Sequence, residues 1–121
     1  ITKFNENGVE DDRIYTDLVV EALSIEAEAA KASLDAAARI KKEFPKVHLV
    51  GGMSNVSFGL PKRVFINSAF LTAAIMAGLD AAIMDITNPS MKMSLLASLL
   101  VKGEDEFCME YLTGFRAAFQ D

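Results

Sequence analysis

The side chains able to do chemistry in this sequence are few, and each follows or closes an apolar run. Asp17 lies late in RIYTDLVV; Ser54, Asn55 and Ser57 follow VHLVGG; Arg63 follows Pro61; Asp85 follows LDAAIM. These groups donate and accept hydrogen bonds, so the chemistry they offer is recognition and charge stabilisation of a polar ligand. An acid inside an apolar strand is expensive to bury unless it is paired or binds something. Asp17 therefore either holds a ligand or accepts N–H bonds from a neighbouring loop. Asn55 and Ser57 either face a ligand or shape the turn and cap the next helix. Asp85 either joins the site or satisfies the amides of its own ITNPS turn. Arg63, in the first turn of a helix, opposes the helix dipole and so points to an anionic neighbour.

Other chemistries lack their residues. His48 is the single histidine and opens its strand, at the end opposite these groups, so it is read as structural and no Ser–His–Asp set forms. The single cysteine, Cys108, excludes an internal disulfide and a cysteine-rich metal site, and no metal ligand set is expected. GGMSNVSFG has neither the Walker spacing nor a G-x-G-x-x-G pattern. A formal charge of −5 argues against a nucleic-acid or anionic-membrane partner. No apolar run reaches the ~18 residues of a spanning helix, so a cytoplasmic protein is expected. Met53, Met76, Met84, Met91, Met93 and Met109 read as core filler.

The elements that must carry these residues alternate. Arg13 to Val20 reads as a buried strand, rich in β-branched and aromatic residues. Ser24 is the predicted cap of a helix running to Phe44, with Glu28, Lys31, Asp35 and Arg39 on a solvated face and Ala29, Ala32, Ala36 and Ile40 on a packing face. Pro45 stops it. Val47 to Val50 is the second strand. Pro61 opens a helix over about Lys62 to Ala77 that is apolar on nearly every side, which suits burial on both flanks or an interface. Gly78 ends it, and Leu79 to Met84 forms the third strand. Asn88 followed by Pro89 starts another helix. Gly103 breaks that one, and Glu104 to Phe119 makes the last. GVEDD and GEDEF read as solvated loops or helix starts.

With 121 residues and 51% hydrophobic content the chain suits one domain with a substantial core. Alternating strands and helices imply an α/β fold with a parallel sheet and right-handed crossovers. Continuously apolar strands imply a sheet covered on both faces, which three strands with helices on one side do not provide. The expected fold is therefore the C-terminal part of a (β/α)8 TIM barrel, spanning residues 1–121, whose complete form needs ~250 residues. The chain opens on Ile1 rather than Met, which predicts a piece of a longer protein. A small three-layer α/β domain is the competing fold. In a barrel the active site lies beyond the carboxyl ends of the strands, where all the polar groups named above fall.

GGMSNVSFGLPKRVFINSAFLTAAIMAGLDAAIMD closely resembles the C-terminal part of pterin-binding methyltransferases of the methyltetrahydrofolate:corrinoid type, relatives of the folate domain of cobalamin-dependent methionine synthase. The motif G-x-S-N-x-S-F-G-x-P-x-R is filled from Gly52 to Arg63, N-x-x-F-L by Asn67, Phe70 and Leu71, and G-L-D-x-A-I from Gly78 to Ile83. RIYTDLVV resembles the family's I-Y-x-D-P-L, with Leu18 in place of the usual proline. The resemblance covers about Gly8 to Phe119. It implies a dihydropteroate synthase-like barrel with this chain supplying about strands six to eight. It also implies transfer of a methyl group from 5-methyltetrahydrofolate to the cobalt(I) of a corrinoid (cobalamin) on a partner protein. Asp17, Gly52, Ser54, Asn55 and Arg63 would bind substrate, with Ser57 and Asp85 as further members. Asn55 would be catalytic, contacting the ring nitrogen that bears the methyl group, while Asp17 would hold the pterin edge. The nucleophile is the cobalt, so no protein metal ligand is required. The rest of the barrel, the corrinoid protein and a second copy in a homodimer are the implied partners.

Three alternatives stand beside this reading. A methionine synthase folate domain would differ only outside these residues. A dihydropteroate synthase-like enzyme would carry Arg and Lys after the strand-seven serine, where Asn55 and Val56 stand here. A non-catalytic half-barrel subunit would depend on a partner for its missing strands.

Overall fold

The computed structural model describes residues 1–119. Its three strands, β1 (Tyr15–Asp17), β2 (His48–Gly52) and β3 (Ala81–Ile83), form one parallel sheet in the order β1-β2-β3. Five helices accompany them: α1 (Thr2–Glu6), α2 (Ala29–Glu43), α3 (Arg63–Ala77), α4 (Pro89–Lys102) and α5 (Met109–Phe119). Each strand adds beside the previous one with no reversal, the progression of a barrel wall rather than of a doubly wound sheet.

Register divides the sheet into two unlike faces. Tyr15 pairs His48, Thr16 pairs Leu49 and Asp17 pairs Val50; Val50 pairs Ala81, Gly51 pairs Ala82 and Gly52 pairs Ile83. Side chains alternate along a strand, so Thr16, Leu49, Gly51 and Ala82 share one face. The helices cover that face, and Leu49 is fully buried in a core with Leu18, Met53, Val56, Phe70, Leu71, Ala74, Ile75, Leu79 and Met91. The other face carries Tyr15, Asp17, His48, Val50, Gly52, Ala81 and Ile83. Tyr15 is 63% exposed and Ile83 68% exposed, so nothing among the described residues covers it. This is the bare second face expected of a barrel segment, whose inner surface needs further strands.

Most boundaries agree with the alternating pattern, and the departures have local causes. β1 is shorter than Arg13–Val20 because Asp11–Arg13 forms a 3-10 turn below it, although Leu18 N–H still donates to the Val50 carbonyl at 2.8 Å. Ser24 does not cap a helix. Its hydroxyl donates to the Phe58 carbonyl at 2.7 Å, tying the segment after β1 to the loop after β2, and α2 starts only at Ala29. The buried side of α2 is Ala29, Ser33 and Ala37, one step round from the expected stripe; Ala32 and Ala36 are exposed beside the free edge of β1. Lys62 adopts a left-handed conformation (φ 52°), so α3 begins at Arg63, past Pro61. Gly78 ends it with φ 114°, its N–H and that of Leu79 closing the last turn on Ile75 and Ala74. Asn88 caps α4 by accepting from Ser90 and Met91 N–H, with Pro89 in the first turn. Asp105 accepts from the Glu110 and Tyr111 amides, so α5 starts later than Glu104.

α3 packs between α2 and α4 and buries Phe70, Leu71, Ala74 and Ile75. Phe65 and Met76 stay 71% and 55% exposed, so the helix is buried on two sides and open on a third. Met53 and Met91 are core residues, whereas Met76 and Met109 lie at the surface and are not core filler. Among the described residues no helix is long and apolar enough to cross a membrane.

Candidate functional site at the carboxyl ends of the strands

Because the strands are parallel, the segments after Asp17, Gly52 and Ile83 all emerge at one end of the sheet. Asp17 is exposed on the bare face, and among the described residues no group donates to its carboxylate. The neighbouring loop does not take it up. Gly52 lies on the same face of the adjacent strand, two residues beyond Asp17's partner Val50 and so roughly 7 Å higher. A Cβ at Gly52 would meet no atom within 4 Å, so packing within the described residues does not demand glycine there.

The loop after β2 is a 3-10 turn, Asn55–Ser57, held by side chains. Ser57 is fully buried. Its hydroxyl accepts from Arg63 Nε at 2.9 Å and donates to Asn67 Oδ1 at 2.6 Å, with the Ser54 carbonyl a second acceptor at 3.1 Å. Arg63 Nη2 donates to the same carbonyl at 2.7 Å. Ser57 is thus a support beneath the loop, since a side chain with no exposed surface touches no ligand. The anionic neighbour expected for Arg63 is replaced by a carbonyl and a hydroxyl oxygen. Asn55 is the opposite case: it is exposed, and among the described residues its amide group has no hydrogen-bond partner. Lys62, strained by its left-handed backbone at a cost of ~1–2 kcal/mol, turns the chain so that Arg63 faces back on the loop.

Asp85 closes its own turn. Its Oδ1 accepts from Thr87 N–H at 3.0 Å and from the Thr87 hydroxyl, and these bonds hold its carboxyl below the usual carboxylate range. That is the turn-forming role, although Oδ2 keeps its acceptor capacity.

The structure gathers Ser54, Arg63 and Asp85 at one cleft of about 250 Å³, floored by Met53, Met84 and Met91. Asn55 lines a neighbouring cleft with Val20, Ala22, Ile25 and Phe58, and Asp17 lines a groove against α2. Glu21 borders both of these, so the two adjoin. The first cleft lies below the ~300–1,000 Å³ of a typical ligand pocket and takes only part of a ligand. Asn67 and Thr87 join the site without having been singled out as site residues. For Asn67 the signal was its place in N-x-x-F-L; for Thr87 it was the Asp-x-Thr spacing of an Asx turn.

The sequence signature of the pterin binding enzyme family matches residues 1–85, well over half the chain. The chain belongs to the pterin binding enzyme family. The matched span of this family member ends at Asp85 and contains every candidate residue from Asp17 onwards. Among characterised proteins it is 33% identical over 119 residues to the methylcorrinoid:tetrahydrofolate methyltransferase of Eubacterium limosum, covering 96% of this chain and 43% of that protein. It is 45% identical over 53 residues to the methionine synthase of Mycobacterium leprae (strain TN), covering 42% of this chain and 4% of that one. This chain therefore spans less than half the length of either relative.

The opposite end of the sheet holds a different cluster, built around Asp80, the acid of G-L-D-x-A-I. Asp80 Oδ2 accepts Leu49 N–H at 2.7 Å and pairs with Lys41 Nζ at 2.7 Å, and Lys41 also donates to the Val47 carbonyl at 2.8 Å. Burial opposes the charge on Asp80, but the Lys41 bond, the Leu49 amide and the fields of Lys41 and His48 outweigh it and lower its pKa. His48 stacks on Tyr15 with ring centroids 4.6 Å apart, and its Nε2 meets the Asp12 carbonyl at 3.0 Å. It lies, as expected, at the end of the sheet opposite the candidate site.

Proposed function

We propose that this chain is the C-terminal part, about strands six to eight, of a single (β/α)8 pterin-binding barrel. We propose further that the complete protein carries a methyl group from 5-methyltetrahydrofolate to the cobalt(I) of a corrinoid on a partner protein. The Eubacterium limosum relative's name writes the transfer in the opposite sense, from methylcorrinoid to tetrahydrofolate. The two senses share one transition state, so the same residues serve both. The observation that carries the reading is the contrast within one site: among the described residues nothing engages the exposed side chains of Asp17 and Asn55, while the residues around them are locked.

In this reading Asp17, as a carboxylate, accepts two hydrogen bonds from the amino-pyrimidinone edge of the pterin and fixes its orientation. Gly52 leaves the sheet face open for the ring, and Ser54 and Arg63 border it. Asn55 has both a donor and an acceptor, so it can follow a ring nitrogen whose charge changes as the N–methyl bond breaks or forms. The corrinoid supplies the methyl-accepting or methyl-bearing centre when its carrier docks, and no protein nucleophile is needed. Self-association through the open side of α3, at Phe65 and Met76, supplies the proposed homodimer. A dihydropteroate synthase-like role and a non-catalytic half-barrel are not better supported than this reading. The test is single-turnover transfer by the complete protein with 5-methyltetrahydrofolate and a cobalt(I) corrinoid. Transfer supports the proposal, and its absence in a folded, folate-saturated protein refutes it.

A further inference from the structure

The loop that presents Asn55 is held by a chain of three side chains that ends on a residue no part of the mechanism uses. Arg63 Nε donates to Ser57 Oγ at 2.9 Å, and Ser57 Oγ lies 2.6 Å from Asn67 Oδ1. A hydroxyl has one proton to give. It goes to the nearer acceptor, Asn67, which leaves the Oγ lone pairs turned to Arg63. That accepted bond directs the guanidinium so that its Nη2 reaches the Ser54 carbonyl at 2.7 Å. Ser54 and Ser57 bracket Asn55, and the backbone bonds that close the turn on itself are long, Ser57 N–H to the Ser54 carbonyl at 3.3 Å and Phe58 N–H to the Asn55 carbonyl at 3.2 Å, while Leu23 N–H ties the Val56 carbonyl from outside at 3.0 Å. Bonds of that length do not define the turn alone. Asn67 stands on the second turn of α3, a rigid element, and is half-buried.

We infer that Asn67 is a positioning residue for methyl transfer: by accepting the Ser57 proton it orients Arg63 and fixes the 54–57 turn on which Asn55 is carried. The inference rests on the methyl-transfer reading for its consequence, but not for its structural half. Removing the acceptor leaves a buried hydroxyl proton to find the Ser54 carbonyl, in competition with Arg63.

The test uses the complete protein with Asn67→Leu, Ser57→Ala, the double variant and Asn67→Asp, which keeps an acceptor oxygen. Hydrogen exchange reads the Ser57 and Phe58 amides, with the Leu49 amide, at the far end of β2, as the control for global opening. Single-turnover methyl transfer and folate binding are measured beside it. Asn67→Leu and Ser57→Ala are each expected to lose protection at Ser57 and Phe58 about tenfold or more, with Leu49 unchanged. Their transfer rates fall about tenfold while folate affinity stays within about threefold, the double variant is no worse than either single, and Asn67→Asp is restored to near wild type. Unchanged protection at Ser57 and Phe58 overturns the inference, and so does equal loss at Leu49 or failure of Asn67→Asp to rescue. If wild type transfers no methyl group while the exchange pattern appears as expected, the functional reading fails and the loop-positioning role stands.

Discussion

Replacing Asp80 tests how the amino end of the sheet is held. In a parallel ladder the N–H of Leu49 would donate to a backbone carbonyl of the strand beside it, as Met53 N–H does to Ile83 at 3.0 Å. Here the Asp80 carboxylate takes that place at 2.7 Å, while Asp80 N–H returns a bond to the Leu49 carbonyl at 3.0 Å. Leu49 is fully buried, so Asp80→Ala strands its donor at a cost of ~1–3 kcal/mol. The Lys41 and Asp80 side chains are 22% and 33% exposed, so loss of their ion pair adds at most ~1 kcal/mol after screening. The sum is ~1–4 kcal/mol, a large share of the ~5–15 kcal/mol that stabilises a domain. Asp80→Asn keeps an oxygen for Leu49 and loses only the charge, so it costs ~1 kcal/mol. Urea denaturation of the complete protein at pH 7 should rank wild type above Asn above Ala. Because the native carboxyl titrates below its ordinary value, its contribution is present above pH ~4 and vanishes as pH falls through the lower native value. The gap between wild type and Asp80→Asn should therefore close in acid. Equal costs for Asn and Ala, or a gap that persists at low pH, would refute this account of the Leu49 donor.

The remaining predictions concern the opposite end. Asn55→Ala in the complete protein should lower single-turnover methyl transfer about 100-fold, with a far smaller change in folate affinity; an unchanged rate removes Asn55 from the chemistry. Asp17→Asn replaces a charged acceptor that no group among the described residues engages, so it should weaken folate binding about tenfold or more without lowering the urea midpoint. Calorimetry would contradict this if the affinity held and stability fell. The 121-residue chain by itself should not bind 5-methyltetrahydrofolate at micromolar concentration, because the sheet face that carries Asp17 and Gly52 is left open. Micromolar binding would sink the fragment reading.

The order of elements was legible because each transition in the chain carries its own local chemistry: Gly78 after an apolar helix, Asn88-Pro89 before one, β-branched runs between. The start of α2 was not legible. Ser24 has the right type and place for a cap, but its hydroxyl is claimed by the carbonyl of Phe58, 34 residues away, and no local pattern reveals such competition. The site shows the same limit. Types and spacing placed Asp17, Asn55 and Arg63 at the strand ends, but which polar group is free and which is consumed depends on contacts made only on folding. Arg63 and Ser57 are consumed by the loop, and among the described residues Asp17 and Asn55 are left open.

β2 is fastened at its two ends by one device used with opposite signs. At the amino end a carboxylate, Asp80, completes a backbone N–H; at the carboxyl end a guanidinium, Arg63, completes a backbone carbonyl. The two fastenings differ in depth. Asp80 binds the donor of a fully buried strand residue and belongs to the stability of the sheet, whereas Arg63 binds the carbonyl of exposed Ser54 and belongs to the shape of a loop. In barrels the amino face of the strands carries stability and the carboxyl face carries chemistry. Loss of the Arg63 bond should therefore alter the site while leaving the sheet intact, and loss of the Asp80 bond should loosen the sheet whatever ligand is present. The division lets the loop that carries Asn55 be tuned without endangering the strand that carries the loop.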